Sequence, residues 1–515
     1  MDSAVKQSLQ FQQALKGLAE NALLQSILPI AGELGATLYP VGGCVREALM
    51  GCLPEDGVPD DLDCLIISPD KDFPLARKLA EKISETFNGA FVPLDEEFGI
   101  YRVVLQADTE IKGEALNKRV FLDFSDALGN SLQQDLARRD LTINAMALDL
   151  KKPLDFETGI LLDPFGGVSD LNTNTIRMVC ENNLLEDPLR MLRVFRFAAL
   201  LESASKNPAL IDLQTFQVVK AFGEKINTVA AERIQEELYK FFSAKTCFPA
   251  LLKMAEAGFL EVLFPDMSPM RDIPPNGHHH LGLFEHTLAL VKQAERFIDE
   301  LPESEQRYFH SSFNHSSLTR FGLVKLACLF HDLGKPDTKD IKQTPTGERF
   351  TYYGHDQVSA EYTEKICNRL KTGNAIKAHL MHLTRWHLYP CQFGKQSPRK
   401  SVLRFYRRMG DATPDVILLA LADRFSTLGP DVTQEILQRE HENLLWLLEN
   451  YRLEMASLKQ PLLLNGHEIM QALEIAPGPK LKEILLALEE AQQLGEVSTK
   501  EAALDWLHLH YYFQY

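Results

Sequence analysis

Residues 36–67 read ATLYPVGGCVREALMGCLPEDGVPDDLDCLII, and this stretch decides the fold of the first part of the chain. A short strand runs into a turn at Gly42 and Gly43, and a helix that ends at the next glycine follows. The next strand begins polar and ends apolar. Because residues two apart in a strand point to the same side, Asp61 and Asp63 should project from one face of a sheet beside the glycine turn.

This carboxylate pair is suited to Mg²⁺, which prefers hard oxygen ligands. Two such ions can bridge protein carboxylates, an attacking hydroxyl and a triphosphate, as nucleotidyl transfer requires. The N–H groups of Gly42 and Gly43 could hold phosphate at the helix start, and Arg46 could add a charged fork. Each motif alone has an ordinary alternative, either a common strand-to-helix turn or a polar strand start.

Helix and strand patterns alternate up to about residue 165, which predicts a small mixed α/β domain. Helical patterns cover 73–87 and 131–140, and strand-like runs cover 89–95, 99–107, 118–127 and 143–150. Within the third of these runs, Asp123 is flanked by apolar residues and is the best-placed third carboxylate. A surface aspartate at a strand end is an equal alternative.

The run ARRDLTINAMA at 137–147 brings Arg138, Arg139, Asp140 and Asn144 together. Arginines can bind triphosphate oxygens, and Asp140 can accept a hydrogen bond from a ribose hydroxyl. The ordinary alternative is an exposed basic helix end that Asp140 caps.

From about residue 170 the pattern becomes helical. In EDPLRMLRVFR at 186–196, Pro188 suits a first helical turn and Asp187 suits the N-cap. Asp187, Arg190 and Arg193 then share one helix face. A capped surface helix is the alternative, but arginines so close to apolar phenylalanines would be oddly sited for it.

A loop rich in Pro, His and Gly at 265–282 predicts a domain boundary. Beyond it lie most of the histidines, and the pair His331-Asp332 stands out because it follows an apolar helix. A lone histidine is more often structural, whereas this pair has further histidines before and after it.

Six motifs, in order, resemble the bacterial class II CCA-adding enzymes and poly(A) polymerases. They are VGGCVREALMG, DDLD, RRDLTINAMA, DPFGG, EDPLRMLRVFRFAA and AAERIQEEL, and they cover roughly residues 36–240. The resemblance implies Asp61 and Asp63 as Mg²⁺ ligands. Glu47 stands where the family usually has Asp, and the linker before Asp61 is long for the family. The implied nucleotide-binding positions are Gly43, Arg46, Arg139, Asp187, Arg190, Arg193 and Arg196.

The second part of the chain resembles the HD phosphohydrolase superfamily through its H…HD…D pattern. The resemblance implies a divalent metal at four residues, and a second metal is possible at two more. The first set is His286, His331, Asp332 and Asp423, and the second is His355 and His387. Such a metal would activate water for attack on a phosphate ester, which predicts phosphatase or 2′,3′-cyclic phosphodiesterase activity.

Both resemblances imply an α+β fold, with a nucleotidyltransferase head on a small mixed sheet followed by an all-helical neck, body, HD domain and tail. The expected bounds are an extension at 1–24, head at 25–165, neck and body at 166–270, HD domain at 271–430 and tail at 431–515. The implied reaction is addition or repair of the 3′-terminal CCA of tRNA from CTP and ATP. Alternatives are an enzyme adding only CC or only A, a poly(A) polymerase, and an RNA-binding protein with an inactive head.

Base choice follows from hydrogen-bond complementarity. Cytosine and adenine each present an amino donor beside a ring-nitrogen acceptor, which an Asp acceptor beside an Arg donor matches. Uracil and guanine present the reverse pattern. Asp187 with Arg190 should therefore accept C and A and reject U and G.

Composition restricts the partners. The net charge of −17 argues against a sequence-blind nucleic-acid binder, so RNA binding needs a local basic surface. Arg138 with Arg139, or the stretch 395–408, could supply it, although a solvated helix face is an equal alternative for the second. No apolar run is long enough to cross a bilayer. Eight scattered cysteines and a polar N-terminus predict a cytoplasmic protein with reduced thiols.

Overall fold

The computed structural model describes residues 11, 13–54, 57–70, 73–96, 99–150, 161–275, 280–344, 347–430, 432–458 and 461–511. The chain divides into two compact units, Met1–Leu263 and Phe264–Tyr515. No described helix is long and apolar enough to span a membrane.

The first unit is built on a mixed five-stranded sheet. Its strands are β1 (Thr37–Pro40), β2 (Asp61–Ile67), β3 (Ala90–Asp95), β4 (Ile100–Leu105) and β7 (Val120–Asp126), and the small pair β5 (Glu110–Ile111) and β6 (Glu114–Ala115) lies between β4 and β7 in sequence. The strand order is β1-β2-β7-β4-β3, with β2 and β7 parallel and the other neighbouring strands antiparallel. This arrangement confirms the predicted small mixed sheet.

Helices cover the apolar face of this sheet. They are α1 (Ala22–Glu33), α2 (Gly43–Leu49) and α3 (Ala76–Phe87). Buried side chains of these helices join Leu62, Cys64 and Ile66 of β2 in one hydrophobic core. Alternate residues of β2 thus face the core, and Asp61 and Asp63 lie on the opposite side of the strand.

The predicted strand at 143–150 is mostly absent. Thr142–Asn144 forms a 3-10 turn, and ladder pairing is limited to β8 (Ala147–Leu148) with β9 (Leu161–Leu162). The apolar run is nevertheless buried: Met146 and Leu148 join the core of the sheet, and Ala147 forms an isolated antiparallel bridge with Val41. An apolar pattern cannot distinguish such packing from full strand pairing.

The rest of the first unit is helical apart from the short pair β10 (Thr175–Ile176) and β11 (Leu210–Ile211). Its helices are α4 (Leu132–Ala137), α5 (Gly167–Asn172), α6 (Glu181–Glu186), α7 (Leu189–Ser205), α8 (Leu213–Phe222), α9 (Ala231–Ser243), α10 (Phe248–Glu256) and α11 (Phe259–Leu263). The chain breaks between α6 and α7 because Asp187 is extended, at φ −126° and ψ 92°, and Pro188 restarts the helix.

The second unit is helical, as predicted, with one exception. The hairpin β12 (Asp340–Thr344) and β13 (Gly347–Thr351) interrupts the pattern. The helices before and after it are α12 (Leu283–Glu300), α13 (Glu303–His310), α14 (Arg320–Phe330), α15 (His355–Arg369), α16 (Asn374–Trp386), α17 (Arg399–Met409), α18 (Thr413–Ser426), α19 (Gln434–Leu458), α20 (Gly466–Leu473), α21 (Pro479–Leu494) and α22 (Lys500–Tyr511).

A close backbone approach in this unit brings His355 near Asp332. A Cβ on Gly334 would lie 2.5 Å from the carbonyl oxygen of His355, so the start of α15 approaches the turn after His331 closely. The last three helices, α20 to α22, have a hydrophobic core of their own.

Candidate functional site

The sheet brings three carboxylates of the head onto one face. Asp63 of β2 is the direct parallel neighbour of Asp123 of β7, and Asp61 precedes Asp63 by two residues on the same strand. The strand register therefore places Asp123, 60 positions further along the chain than Asp63, beside the Asp61–Asp63 pair that the sequence indicates.

The electrostatics of the three carboxylates favour a cation between them. Burial raises the pKa of Asp63 to about 6, and the charges of Asp123 and Asp61 add to this effect against the opposing charge of Arg139. Burial also raises the pKa of Asp61, which the charge of Arg102 partly offsets. Crowded carboxylate oxygens are the donors that Mg²⁺ prefers, so these residues fit such an ion.

Asp123 is held by an arginine that no sequence motif indicates. The Nε and Nη2 atoms of Arg102 donate to the two carboxylate oxygens of Asp123, each over 2.6 Å. The two residues are antiparallel neighbours on β4 and β7. In the sequence, Arg102 is one alternating residue of an apolar strand, and only strand pairing reveals its partner.

Gly42 is required for steric reasons. Its φ is +68°, and a Cβ there would lie 2.7 Å from Nη1 of Arg139. Its N–H donates to the carbonyl oxygen of Met146 over 3.1 Å, so in this conformation the N–H already has a partner within the protein. Gly43 is less constrained, and its Cβ position lies 4.0 Å from Asp63 Oδ2.

Arg46 lies inside the protein. It is 6% exposed, donates to Asn144 Oδ1 and to Glu47 Oε1 (2.9 Å), and stacks over the Phe197 ring at 4.8 Å. Burial lowers its pKa. The guanidinium therefore holds α2 against neighbouring elements. One of its partners is Glu47, the residue that stands where the family usually has Asp.

Asp140 and Arg193 form a buried ion pair. The carboxylate of Asp140, which is 5% exposed, accepts from Arg193 Nε (2.6 Å), Leu141 N (2.8 Å) and Asn144 Nδ2 (3.0 Å). Burial alone would raise the pKa of Asp140, but Arg193 and these donors bring it below its usual range. Asp140 is thus neither exposed nor a helix cap; it fixes Arg193.

Asp187 does not cap α7 as predicted. Its Oδ2 lies 2.9 Å from Nη2 of Arg233 and 3.9 Å from Nε of Arg190. Arg190 Nη1 also donates to the carbonyl oxygens of Arg138 (2.7 Å) and Asn183 (3.1 Å). The Asp–Arg pair predicted from sequence is present, and the arginine of the AAERIQEEL motif joins it.

Three guanidiniums surround the ring of Phe197, and these contacts explain why the arginines of α7 lie so close to phenylalanines in the sequence. Arg196 lies 3.9 Å and Arg193 5.2 Å from its ring, and Arg46 approaches as well. Glu237 of α9, 5% exposed, lies 2.7 Å from Arg196 Nε and 3.5 Å from Arg193 Nη1. No sequence motif indicates this role for Glu237, because the acidic residues beside it in the chain look the same in sequence.

The six residues of the predicted HD site lie together in the second unit. Two groups can each hold a metal ion with ligand atoms within 4.8 Å of one another: His286, His331 and Asp423, and Asp332, His355 and His387. Each of the six sits at or near the end of a helix, and each is at most 8% exposed.

The four imidazoles share one orientation. Each Nδ1 lies 2.7 to 3.3 Å from a backbone carbonyl oxygen, which can only accept a hydrogen bond. Each Nδ1 therefore carries a proton and each Nε2 points toward the cluster, the orientation that metal-binding histidines require. Burial lowers the pKa of His387 to about 3, which keeps it neutral.

Asp332 joins the two groups. Its Oδ2 lies 3.0 Å from His331 Nε2, and its Oδ1 lies 3.3 Å from His355 Nε2. Lys335 Nζ is 2.5 Å from Oδ2. Burial would raise the pKa of Asp332, but His331 and Lys335 bring it well below its usual range. These buried donors fit divalent metal ions, with Asp332 able to reach both.

The two basic stretches have acidic partners. Asp135 contacts Arg138 at 2.6 Å and Arg139 at 3.5 Å. On α17, Lys400, Arg404 and Arg407 lie within 3.6 Å of Glu490. Much of the positive charge predicted to attract RNA is therefore balanced within its own unit.

Comparison with known proteins matches this architecture. Family models match at residues 38–177 (poly A polymerase head domain), 210–270 (probable RNA and SrmB-binding site of polymerase A), 283–428 (HD domain) and 431–507 (putative tRNA nucleotidyltransferase domain 2). An A-adding tRNA nucleotidyltransferase of Deinococcus radiodurans is 31% identical, over 91% of this chain and 94% of its own. The chain belongs to the tRNA nucleotidyltransferase family.

Further comparisons agree with this assignment. A CC-adding tRNA nucleotidyltransferase of Thermus thermophilus is 30% identical over 91% of this chain and 92% of its own. The solved structure of a Thermotoga maritima CCA-adding enzyme complexed with tRNA has a TM-score of 0.57 at 20% identity, over 96% of this chain and 97% of that one. The last comparison shows that the tRNA nucleotidyltransferase fold extends over nearly the whole chain.

Proposed function

We propose that this tRNA nucleotidyltransferase acts in the cytoplasm and adds or repairs the 3′-terminal CCA of tRNA from CTP and ATP. The tRNA 3′-hydroxyl attacks the α-phosphorus of the nucleotide, a new phosphodiester bond forms, and the α–β bridging bond breaks to release pyrophosphate. The observation that carries the proposal is the convergence of Asp61, Asp63 and Asp123 beside the Gly42 turn.

In this proposal Asp61 and Asp63 hold Mg²⁺, and Asp123 contributes the third negative charge. Bound Mg²⁺ would polarise the phosphate and activate the attacking hydroxyl. Arg139 lies beside both the glycine turn and Asp63, so it can take a triphosphate oxygen. The remaining nucleotide-site residues are proposed to be Gly42, Gly43, Arg46, Asp140, Asp187, Arg190, Arg193 and Arg196.

Two of these proposed roles are indirect. Arg46 and Asp140 are buried, and their partners are other residues of the site. They are proposed to position Asn144 and Arg193. Asp187 and Arg190 are proposed to form hydrogen bonds with the edge of the base. Arg233, which lies 2.9 Å from Asp187 Oδ2, would hold that carboxylate in place.

The proposed domain bounds are those expected from sequence: head 25–165, neck and body 166–270, HD domain 271–430 and tail 431–515. For the HD domain we propose hydrolysis of a phosphomonoester or 2′,3′-cyclic phosphate. Its support is the buried cluster of four inward-facing Nε2 atoms and two carboxylates. When bound, a divalent metal there would supply an activated water.

A partial enzyme is the second candidate. The two relatives described above, which match 91% of this chain, are an A-adding and a CC-adding enzyme. An inactive RNA-binding head is not favoured, because the carboxylate cluster is intact.

One experiment separates these candidates. Labelled CTP, ATP, UTP and GTP are supplied one at a time, and CTP is also supplied together with ATP, to three tRNAs that lack CCA, CA or only the terminal A. With CTP and ATP together, a CCA-adding enzyme completes all three tRNAs. Extension of only the third tRNA with ATP indicates an A-adding enzyme, and arrest after two cytidines although ATP is present indicates a CC-adding one. Repeated adenylation would indicate a poly(A) polymerase, and no extension would contradict the proposed function.

A further inference from the structure

The ion pair between Arg102 and Asp123 distinguishes Asp123 from the other two carboxylates of the head. Both oxygens of Asp123 accept from one guanidinium at 2.6 Å. Such a bidentate pair is the strongest geometry available to an arginine and a carboxylate. Each carboxylate oxygen has two lone pairs, and Arg102 takes one on each oxygen, so Asp123 could ligate a metal ion only by sharing its oxygens with the guanidinium.

The guanidinium of Arg102 is fixed from several sides. The backbone pairing of β4 with β7 sets Arg102 opposite Asp123. Its Cζ lies 4.9 Å from the ring centroid of Phe121, the residue two before Asp123 on the same strand. The side chains of Arg102 and Asp123 are only 29% and 19% exposed. The pair is therefore a built part of the sheet and not a loose surface contact.

The same guanidinium acts on the neighbouring carboxylates. Asp123 is the parallel neighbour of Asp63 across β2 and β7, so the guanidinium that pairs with Asp123 also lies close to the Asp61 and Asp63 carboxylates. Without Arg102, three acidic groups would face one another with a free third carboxylate. A divalent ion bound there would meet the same three carboxylates with one positive charge fewer beside them.

We propose that Arg102 is a positioning residue that keeps Asp123 out of direct metal coordination, so that Asp61 and Asp63 alone ligate the metal through their side chains. Asp123 then acts through its charge and through the position of Arg102. This inference rests on the proposed function, because it assumes that the head binds metal through Asp61 and Asp63.

The test measures Mn²⁺ binding to the full chain by electron paramagnetic resonance. Head-specific Mn²⁺ is defined as the binding lost in Asp63→Asn, which leaves the HD site unchanged. If Asp63→Asn loses no Mn²⁺ site, the metal assignment in the proposed function is wrong and the inference falls with it. If a site is lost, the Arg102 and Asp123 variants test the inference alone.

Four results are expected. Asp123→Asn weakens head Mn²⁺ binding by less than about tenfold, because it removes a nearby negative charge but no direct ligand. Arg102→Met tightens it by roughly five- to tenfold, since a nearby positive charge is removed and a carboxylate is freed. Arg102→Lys stays near the wild type, and the double variant Arg102→Met with Asp123→Asn returns to within about threefold of it.

Controls separate this role from a structural one. Arg119→Met removes an exposed arginine just before β7 whose Nε donates to Gln106, and it should leave Mn²⁺ binding unchanged. Circular dichroism checks that each variant is folded, and Arg102→Lys retains a positive charge should Arg102→Met fail to fold. The inference is overturned if Asp123→Asn weakens Mn²⁺ binding by tenfold or more, or if neutralising Arg102 fails to tighten it.

Discussion

Replacing Asp140 with Asn should destabilise the first unit without directly altering the second. The substitution keeps the size of the side chain but removes the charge that Arg193 contacts at 2.6 Å. Breaking a buried ion pair by removing one partner costs about 3–5 kcal/mol. Glu237 remains 3.5 Å from Arg193 and offsets part of this cost, so we expect a loss of about 2 kcal/mol in the free energy of unfolding.

The tryptophans make the assay specific. Trp386, Trp446 and Trp506 all lie in the second unit, so their fluorescence follows that unit, whereas far-UV circular dichroism follows both. In a urea titration, Asp140→Asn should lower the midpoint of the dichroism transition that belongs to the first unit. The midpoint of the fluorescence transition, which reports the second unit, should stay unchanged. An equal shift of both transitions, or a change below about 0.5 kcal/mol, would refute the reasoning.

The same variant predicts a change in pH dependence. The folded pKa of Asp140 lies below its unfolded value of about 3.9, so the unfolded state binds the proton first. The stabilisation is complete above that pH and is lost as the pH falls toward the folded value. The stability difference between wild type and Asp140→Asn should therefore shrink below about pH 4.

Three further predictions concern the proposed sites. Gly42→Ala should lower nucleotide addition sharply, because its Cβ would meet Arg139, whereas the control Gly43→Ala should be milder; equal rates in the two variants would contradict this. Asp187→Ala should raise the ratio of UTP to CTP incorporation, and a uniform loss would count against base reading. His331→Ala with Asp332→Ala should abolish phosphoesterase activity and leave nucleotide addition largely intact. Loss of addition by that folded variant would mean that the two activities share residues.

The sequence predicted most of the head because its signals are local. The glycine turn, the Asp61–Asp63 spacing and the alternating strands each involve a few neighbouring residues. The six HD residues were implied by the resemblance to the HD superfamily, in which the His331-Asp332 pair was the local signal, and the structure brings them together. Local patterns nevertheless misjudged the 143–150 run, which is buried without forming a full strand.

Ion-pair partners were not predictable in the same way. Arg102 faces Asp123 only through strand register, and Glu237 reaches Arg193 and Arg196 from another helix. The sequence suggested that Arg46 would face a ligand, yet it is buried against Asn144. A sequence does not show whether an arginine or a carboxylate lies in a buried ion pair or on the surface. Only the contacts in the folded protein distinguish the two roles.

The role of the head carboxylates is tested most directly by comparing wild type and Asp63→Asn in the transfer of labelled nucleotide to tRNA that lacks its CCA end. The wild type should label the tRNA 3′ end from CTP and ATP and release pyrophosphate in equal amount. Asp63→Asn should bind tRNA normally and lose at least about a thousandfold in rate, or ~4 kcal/mol of transition-state stabilisation. Labelling by Asp63→Asn at a rate near that of the wild type would contradict the central claim that these head carboxylates perform the reaction.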